Sequence, residues 1–178
     1  MSLPRLWGRA NRPLETARRI PTRSSTNGTG SYLLVLHLRT GTRMTVGSLG
    51  ERDFLPGYYV YCGSALGGFR PRLLRHASRK KTPRWHIDYL TNKASIAEIV
   101  IFESRDRLEC VLARVLIDEA TPVDRFGCSD CDCSTHLFFA PRERDMAAAV
   151  DKVLDAVEAQ STVLMRRDLP RYPGLNRH

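Results

Sequence analysis

The sequence lacks a long hydrophobic run. Its most apolar stretch, SYLLVLHL, is far shorter than the roughly 18 apolar residues that cross a membrane. The N-terminus is charged but has no apolar segment typical of a secretory signal. These two absences exclude a transmembrane protein and argue against secretion, so we expect no membrane partner.

Cysteine is scarce and odd in number: five residues, at spacings unlike those of a small extracellular disulfide framework. A reducing, cytoplasmic location is therefore predicted. The chain has 178 residues, of which 42% are hydrophobic and 26% charged. This composition is that of a soluble globular protein, and the length suggests one domain that needs no disulfides for its core.

Acidic residues are under-represented. Nineteen Asp and Glu stand against 28 Lys and Arg, which gives a net charge of +9 and a pI near 9.8. Such a balance favours a polyanionic partner, nucleic acid or an acidic surface. An Arg-rich proteome would produce the same balance without any such partner, so the location of the charges has to decide.

The ends of the chain differ from its middle. Residues 1–29 have no apolar periodicity and carry six Arg against one acid, Glu15, so they are predicted to be a disordered basic arm. An Arg-rich organellar transit peptide has a similar composition. Residues 161–178 are predicted to be a loose tail. The domain is therefore expected to span residues 30–160.

Within that domain, apolar and aromatic runs joined by short turns predict an α+β fold with an antiparallel sheet. Strands are expected near residues 31–38, 43–46, 58–62, 95–102 and 136–140. Helices are expected near residues 70–79, around Trp85–Leu90, and over 105–119, with an additional C-terminal helix over 142–159.

Positive charge is concentrated between Arg70 and Arg84, where seven basic residues occur without one acid. Arg72 and His76 are four residues apart, so a helix places them on one face, where they suit phosphate contact and proton transfer. The alternative is a solvated helix face. The predicted nucleic-acid-binding residues in this stretch are Arg70, Arg75, Arg79, Lys80, Lys81 and Arg84.

Three motifs in order resemble the GIY-YIG endonuclease superfamily. Gly30-Ser31-Tyr32 opens the first strand, Tyr61-Cys62-Gly63 closes a later one, and Arg72 to His76 supplies an Arg-x-x-x-His helix. The segments PGYYVYCGSALGG, RWHIDYL and FGCSDCDCSTHLFF are similar to a branch of that superfamily sometimes fused to endonuclease III, a DNA repair enzyme. The resemblance covers about Gly30 to Ala140. It implies a small three-stranded antiparallel sheet flanked by helices.

The resemblance also implies an activity, metal-dependent hydrolysis of phosphodiester bonds in DNA, with DNA repair proteins as candidate partners. Its catalytic residues would be Tyr32, Tyr61, Arg72, His76 and Glu109. Glu109 would hold Mg²⁺ or Mn²⁺ and Arg72 would bind the phosphate oxygens, while the two tyrosines would flank the attacking water. A free phenol with a pKa near 10 is a poor base, so nearby cations are expected to lower the pKa of the tyrosine that acts on the water.

The loop FGCSDCDCSTH offers four zinc ligands within nine residues, namely Cys128, Cys131, Cys133 and His136. Structural zinc sites usually combine ligands from separated segments, and Cys-x-Cys within one loop makes a tetrahedral arrangement tight. Asp130 and Asp132 could instead be metal ligands, or hydrogen-bond partners of the ligands. The alternative to a metal site is a turn-rich loop whose cysteines are small buried residues and whose His136 lies near the active groove. For His86 and Asp88, in RWHIDYL, we expect a structural hydrogen bond to the sheet.

Two other functions remain open on the sequence alone. One is a non-catalytic basic module that binds nucleic acid through phosphate contacts, with a decayed active site. The other, which depends on the cysteine loop only, is a zinc-stabilised interaction domain. Endonuclease activity is the primary prediction.

Overall fold

The computed structural model describes residues 28–78, 81–157 and 159–165. Of the predicted arm, residues 1–27 lie outside this range, as do residues 166–178 of the predicted tail. Among the described residues, no helix is long and apolar enough to span a membrane.

The chain forms eight strands and four α-helices over the described residues. The strands are β1 (Gly30–Leu38), β2 (Thr42–Thr45), β3 (Glu51–Phe54), β4 (Gly57–Ser64), β5 (Ser95–Glu103), β6 (Thr121–Pro122), β7 (Leu137–Ala140) and β8 (Gln160–Met165). The helices are α1 (Phe69–Ala77), α2 (His86–Thr91), α3 (Glu109–Leu116) and α4 (Glu143–Ala156), and a 3₁₀ turn covers Gly47–Leu49.

The main sheet is antiparallel and has six strands in the order β6-β7-β4-β1-β5-β8. The central strand, β1, is a nearly continuous apolar run because both faces of the sheet are covered. On one face, Leu34 and Leu36 pack in a core with residues of α1 and α2. On the other face, Leu33 and Val35 pack with α3 and α4. The fold therefore has three layers with the sheet in the middle.

The predicted α+β class with an antiparallel sheet flanked by helices is confirmed, whereas the predicted count of three strands is wrong. The strand after β1, TRMT, does not join the main sheet but pairs with β3 in a separate hairpin. Its residues alternate between exposed and half-buried, and Met44 is its one apolar residue, packed against the edge of the core. β5 and β4 flank β1 instead.

The domain also extends beyond its predicted C-terminal boundary. Most of β8 falls in the predicted tail 161–178, yet it pairs with β5 from Glu103↔Gln160 to Glu98↔Met165. The loose tail is therefore wrong for residues 161–165. Strand QSTVLM is short and follows a helix directly, so its apolar content alone did not separate it from a tail.

Candidate active site

The five predicted catalytic residues line one groove of about 330 Å³ at the ends of β1 and β4. Tyr32 comes from β1, Tyr61 from β4, Arg72 and His76 from α1, and Glu109 from the first turn of α3. The rest of the rim is formed by the residues just before and within α2, and by the loop that precedes β7. The five predicted residues, which are up to 77 positions apart in the chain, thus share one cavity.

Gly63 allows the tyrosine of β1 to reach the groove. Tyr32 lies opposite Gly63 in the β1–β4 ladder. A Cβ atom at position 63 would overlap the Tyr32 ring, so only glycine leaves room for the ring to cross β4. The Tyr32 hydroxyl then lies 2.6 Å from His76 Nε2. The glycine of the Tyr-x-Gly motif therefore has a steric role in placing a side chain of the neighbouring strand.

Burial determines the protonation states of Tyr32, Tyr61 and His76. It raises the pKa of Tyr32 well above its ordinary value, and neighbouring Tyr61 adds to the effect. It also raises the pKa of Tyr61, although Arg72 acts in the opposite direction. Burial, followed by the charge of Lys81, lowers the pKa of His76 to about 3. The expectation that cations lower the pKa of the phenols is wrong, because desolvation outweighs the effect of Arg72.

The Tyr32–His76 pair is therefore neutral at physiological pH. The phenol retains its proton, so its O–H donates to the unprotonated Nε2 of the imidazole. His76 is 2% exposed. Its Nδ1 has no hydrogen-bond partner among the described residues. A neutral imidazole behind a phenol is able to accept a proton through it.

The buried His76 should make the stability of the protein pH-dependent. Its pKa is about 3 in the folded state against an ordinary 6.5, so between these values only the unfolded chain binds the proton. Stability contributed by the neutral imidazole should therefore fall as pH drops through this window, by about 1 kcal/mol per pH unit. We expect the stability advantage of wild type over His76→Gln to shrink accordingly in urea unfolding between pH 6 and pH 4.

The pH dependence has to be measured as a difference between wild type and His76→Gln, because Glu98 changes the stability in the opposite direction as pH falls. Burial raises the pKa of Glu98 to about 7, so the folded state binds its proton first and gains stability as pH falls from 7 towards 4.5. This contribution is common to wild type and His76→Gln and cancels in their difference. A difference in unfolding free energy that stays constant with pH would contradict a neutral His76.

Glu109 is held at the groove by two neighbours. It is 4% exposed, and its Oε2 accepts a hydrogen bond of 3.3 Å from Ser31 Oγ. Ser31 Oγ also accepts the Leu108 N–H at 2.8 Å, which satisfies a free donor at the start of α3. Arg107 Nε donates to Glu109 Oε1 at 2.7 Å, and Arg107 Nη2 donates to Asp130 Oδ2 at 3.1 Å. Glu109 thus faces the groove as a paired carboxylate.

Arg72 contributes positive charge to the same groove. Its guanidinium carbon lies 4.1 Å from the centroid of the Trp85 ring, a cation–π contact. Within the described residues it makes no ion pair with a carboxylate. Arg84 contacts the same ring at 5.5 Å and also lines the groove. Trp85 therefore orders two cations at the rim and leaves their donors available to an anion.

Two of the predicted nucleic-acid-binding residues are used inside the fold instead. Arg75 donates to Asp88 Oδ2 at 2.7 Å and to the Thr82 carbonyl at 2.9 Å. Lys81 is 5% exposed as a side chain and donates to Thr91 Oγ1 and to the carbonyl oxygens of α1. Both cations compensate the charge of the buried Asp88, and their assignment to phosphate contacts stays a prediction. Arg70 and Arg84 are exposed, and Arg79 and Lys80 lie outside the described residues.

Asp88 is the organising residue of the segment between α1 and α2. It is fully buried and its Oδ2 accepts the backbone N–H groups of Arg84 and Trp85 at 2.9 and 3.1 Å. Burial alone would raise its pKa, but these hydrogen bonds and Arg75 lower it below the ordinary value. The expected structural role is thus correct, although the bonds go to the connector and not to the sheet. His86 Nδ1 likewise accepts the Gly127 N–H at 3.2 Å.

Beside the groove, four side chains with metal-binding chemistry lie together. Atoms of Cys110, Cys131, Cys133 and His136 are all within 4.8 Å of one another. The predicted set of zinc ligands is therefore corrected: its fourth member is Cys110 and not Cys128. Cys128 Sγ points to the Ser134 carbonyl at 3.5 Å. The fourth ligand comes from α3, which meets the need for a second segment.

Sequence reasoning missed Arg107 and Cys110, and it considered Asp130 only in connection with a metal in the cysteine loop. Cys110 directly follows Glu109, and it is one of the two cysteines outside the loop motif. Arg107 and Asp130 are joined only by the fold, across 23 positions of the chain. No spacing in the sequence signals that contact.

The domain of unknown function DUF123 matches residues 31–159. The chain belongs to this family. The match begins one residue into β1 and ends just before β8, so it includes every residue of the groove named above. No curated protein and no solved structure matches the chain.

Proposed function

We propose that this chain is a metal-dependent endonuclease that hydrolyses phosphodiester bonds in DNA, with an active site of GIY-YIG type. The observation that supports this most strongly is the meeting of Tyr32, Tyr61, Arg72, His76 and Glu109 in one groove. The groove combines a cation free to meet a phosphate, a carboxylate and a buried phenol–imidazole pair. These groups can supply what phosphodiester hydrolysis needs, namely neutralisation of the phosphoryl charge, a site for a divalent ion and an acceptor for the proton of water.

Arg72 is the proposed phosphate-binding residue. Its planar guanidinium presents forked donors that suit two oxygens of a phosphodiester. The contact with Trp85 restricts the side chain before substrate arrives. Because charge on the phosphoryl oxygens increases in the transition state, a fixed cation there stabilises the transition state more than the ground state.

Glu109 is the proposed ligand of Mg²⁺ or Mn²⁺. The donor set fits a hard cation, since a single carboxylate oxygen suffices when water and phosphate oxygens complete the coordination shell. Among the described residues, Oε2 makes only the long bond of 3.3 Å to Ser31, so it is the oxygen that we propose for the ion. A divalent ion bound there supplies Lewis acidity to the phosphoryl group. Ser31 and Arg107 keep the carboxylate turned to the groove.

Tyr32 and His76 are the proposed path for the proton of the attacking water. The Tyr32 hydroxyl orients the water, and His76 accepts the phenol proton as the phenol takes one from water. A bound phosphodiester brings a negative charge close to both groups, which favours the protonated imidazole and raises the pKa of His76 from its low value. Tyr61 lies beside Tyr32, with ring centroids 6.5 Å apart, and completes the wall.

The proposed partner is DNA, bound through its phosphates at Arg72, Arg84 and Arg70. These three belong to the basic segment that the sequence singled out, and Arg84 lines the groove next to Arg72. A cytoplasmic location and association with DNA repair proteins belong to the same proposal. All five cysteines are free, as in proteins from reducing compartments.

A second candidate function, a nucleic-acid-binding module without catalysis, is favoured by one contact. Arg107 lies 2.7 Å from Glu109 Oε1 and partly neutralises the carboxylate that an ion would need. However, the Arg107 side chain is 55% exposed, so it can turn to solvent at little cost. Cleavage assays separate the two functions.

The proposed function is tested by incubating wild-type protein with supercoiled plasmid, branched duplex and single-stranded DNA. Each substrate is tested with Mg²⁺, with Mn²⁺ and with a chelator, and binding is measured by gel shift in parallel. We expect nicked or linear products with at least one metal, none with chelator, and binding in both conditions. Bound but intact DNA under every metal would identify the binding module instead.

A further inference from the structure

The cluster of Cys110, Cys131, Cys133 and His136 has the dimensions of a tetrahedral metal site. Zinc binds thiolate sulfur at about 2.3 Å and imidazole nitrogen at about 2.0–2.1 Å, which places sulfur and nitrogen about 3.6 Å apart around one ion. The His136 Nε2 atom lies 3.4 Å from Cys131 Sγ and 3.8 Å from Cys110 Sγ. All four ligand atoms lie within 4.8 Å of one another. One ion fits between them with small side-chain movements.

The chemistry of the four ligands selects the metal. Three soft thiolates and one imidazole form the Cys₃His set that tetrahedral Zn²⁺ prefers, whereas Mg²⁺ and Mn²⁺ take oxygen ligands. Three ligands come from the loop before β7 and the fourth from α3. We propose that Cys110, Cys131, Cys133 and His136 bind one structural Zn²⁺ ion, which is distinct from the divalent ion proposed at Glu109.

The position of this site indicates what the ion does. Cys110 follows Glu109 in the first turn of α3, and Cys131 follows Asp130 in the loop. Glu109 and Asp130 both pair with Arg107. At the other end of the loop, His136 is fixed to the sheet, since its N–H donates to Phe126 and its carbonyl accepts the Cys62 N–H. A zinc ion here fastens the loop to α3 and so holds two walls of the groove together.

A closed set of four protein ligands leaves no position for substrate, so the ion stabilises structure and does not take part in catalysis. The inference is therefore independent of the proposed nuclease function. Metal content and coordination can be measured on a protein that cleaves nothing, and a nuclease without zinc would leave the proposed function intact.

The test compares the full-length wild type with two single variants, Cys110→Ser and Cys128→Ser, purified under reducing conditions without added metal. Cys128 is a matched control because it lies in the same loop but outside the cluster. Elemental analysis should find about one zinc per chain in wild type and Cys128→Ser. Cys110→Ser should lose most of its zinc and melt at a lower temperature.

A second measurement covers the case in which Cys110→Ser fails to fold. Wild type is stripped with chelator, reduced and titrated with Co²⁺, whose absorption reports tetrahedral thiolate coordination. We expect saturation at one Co²⁺ per chain and displacement by Zn²⁺. The proposal is overturned if reduced wild type binds neither metal, if Cys128→Ser but not Cys110→Ser loses zinc, or if the cluster forms a disulfide in preference to binding added Zn²⁺.

Discussion

Replacing Glu109 by glutamine is expected to reduce DNA cleavage by at least about 10³-fold, because the variant lacks the only carboxylate proposed to hold the divalent ion. Glutamine keeps the size of the side chain and one carbonyl oxygen for Arg107, and its NH₂ group can donate to Ser31 Oγ, so the first turn of α3 should stay in place. DNA affinity should hold or increase, because a negative charge is removed from a groove that binds phosphates. Single-turnover cleavage and equilibrium binding measure the two effects separately.

Glu119→Gln is the matched control for this experiment. Glu119 is exposed just beyond α3 and does not line the groove, so its loss should leave cleavage unchanged. Equal activity of Glu109→Gln and wild type would exclude Glu109 as the metal ligand. An equal loss in both variants would mean that the charge of α3 matters and the carboxylate position does not.

Replacing Asp88 by alanine is expected to lower the free energy of unfolding by about 3–5 kcal/mol, the usual cost of removing one partner of a buried ion pair. The fully buried Asp88 neutralises Arg75 and Lys81 and accepts two backbone N–H groups. Without it, Lys81 remains as a nearly buried cation with no counter-charge. Urea unfolding followed by circular dichroism measures the loss.

Asp53→Ala provides the comparison, since Asp53 forms an equally short ion pair with Arg43 but on the surface of the β2–β3 hairpin. Solvent screens that pair, so we expect no measurable loss of stability from its removal. If Asp88→Ala were as stable as Asp53→Ala, the network around Asp88 would not be what holds α1 against α2.

Much of the fold was predictable because burial leaves a clear pattern. The run GSYLLVLHL and the aromatic strand before Gly63 indicated β1 and β4, and these are the two central strands of the sheet. The pairing of short strands was not predictable, since it depends on which apolar faces remain open after the core forms. Strand β2 illustrates this, because it follows β1 in the chain but joins another sheet.

The candidate site, too, was only partly predictable from the sequence. The order of the motifs Gly-x-Tyr, Tyr-x-Gly and Arg-x-x-x-His predicted a shared site. The structure places its residues, Tyr32, Tyr61, Arg72 and His76, in one groove. Charge alone could not separate Arg72, which faces the groove, from Arg75, which is three residues away and pairs with Asp88. That difference depends on the position of one buried carboxylate.

The central claim is that the groove hydrolyses phosphodiester bonds with a divalent ion at Glu109. It is tested most directly by adding Mg²⁺ or Mn²⁺ to DNA already bound by excess wild-type protein or excess Glu109→Gln, and following strand cleavage in a single turnover. We expect that wild type begins to cleave the DNA when metal is added. With Glu109→Gln, the DNA should stay intact when the same fraction of it is bound by protein. Intact DNA in both complexes, or equal cleavage in both, would contradict this claim.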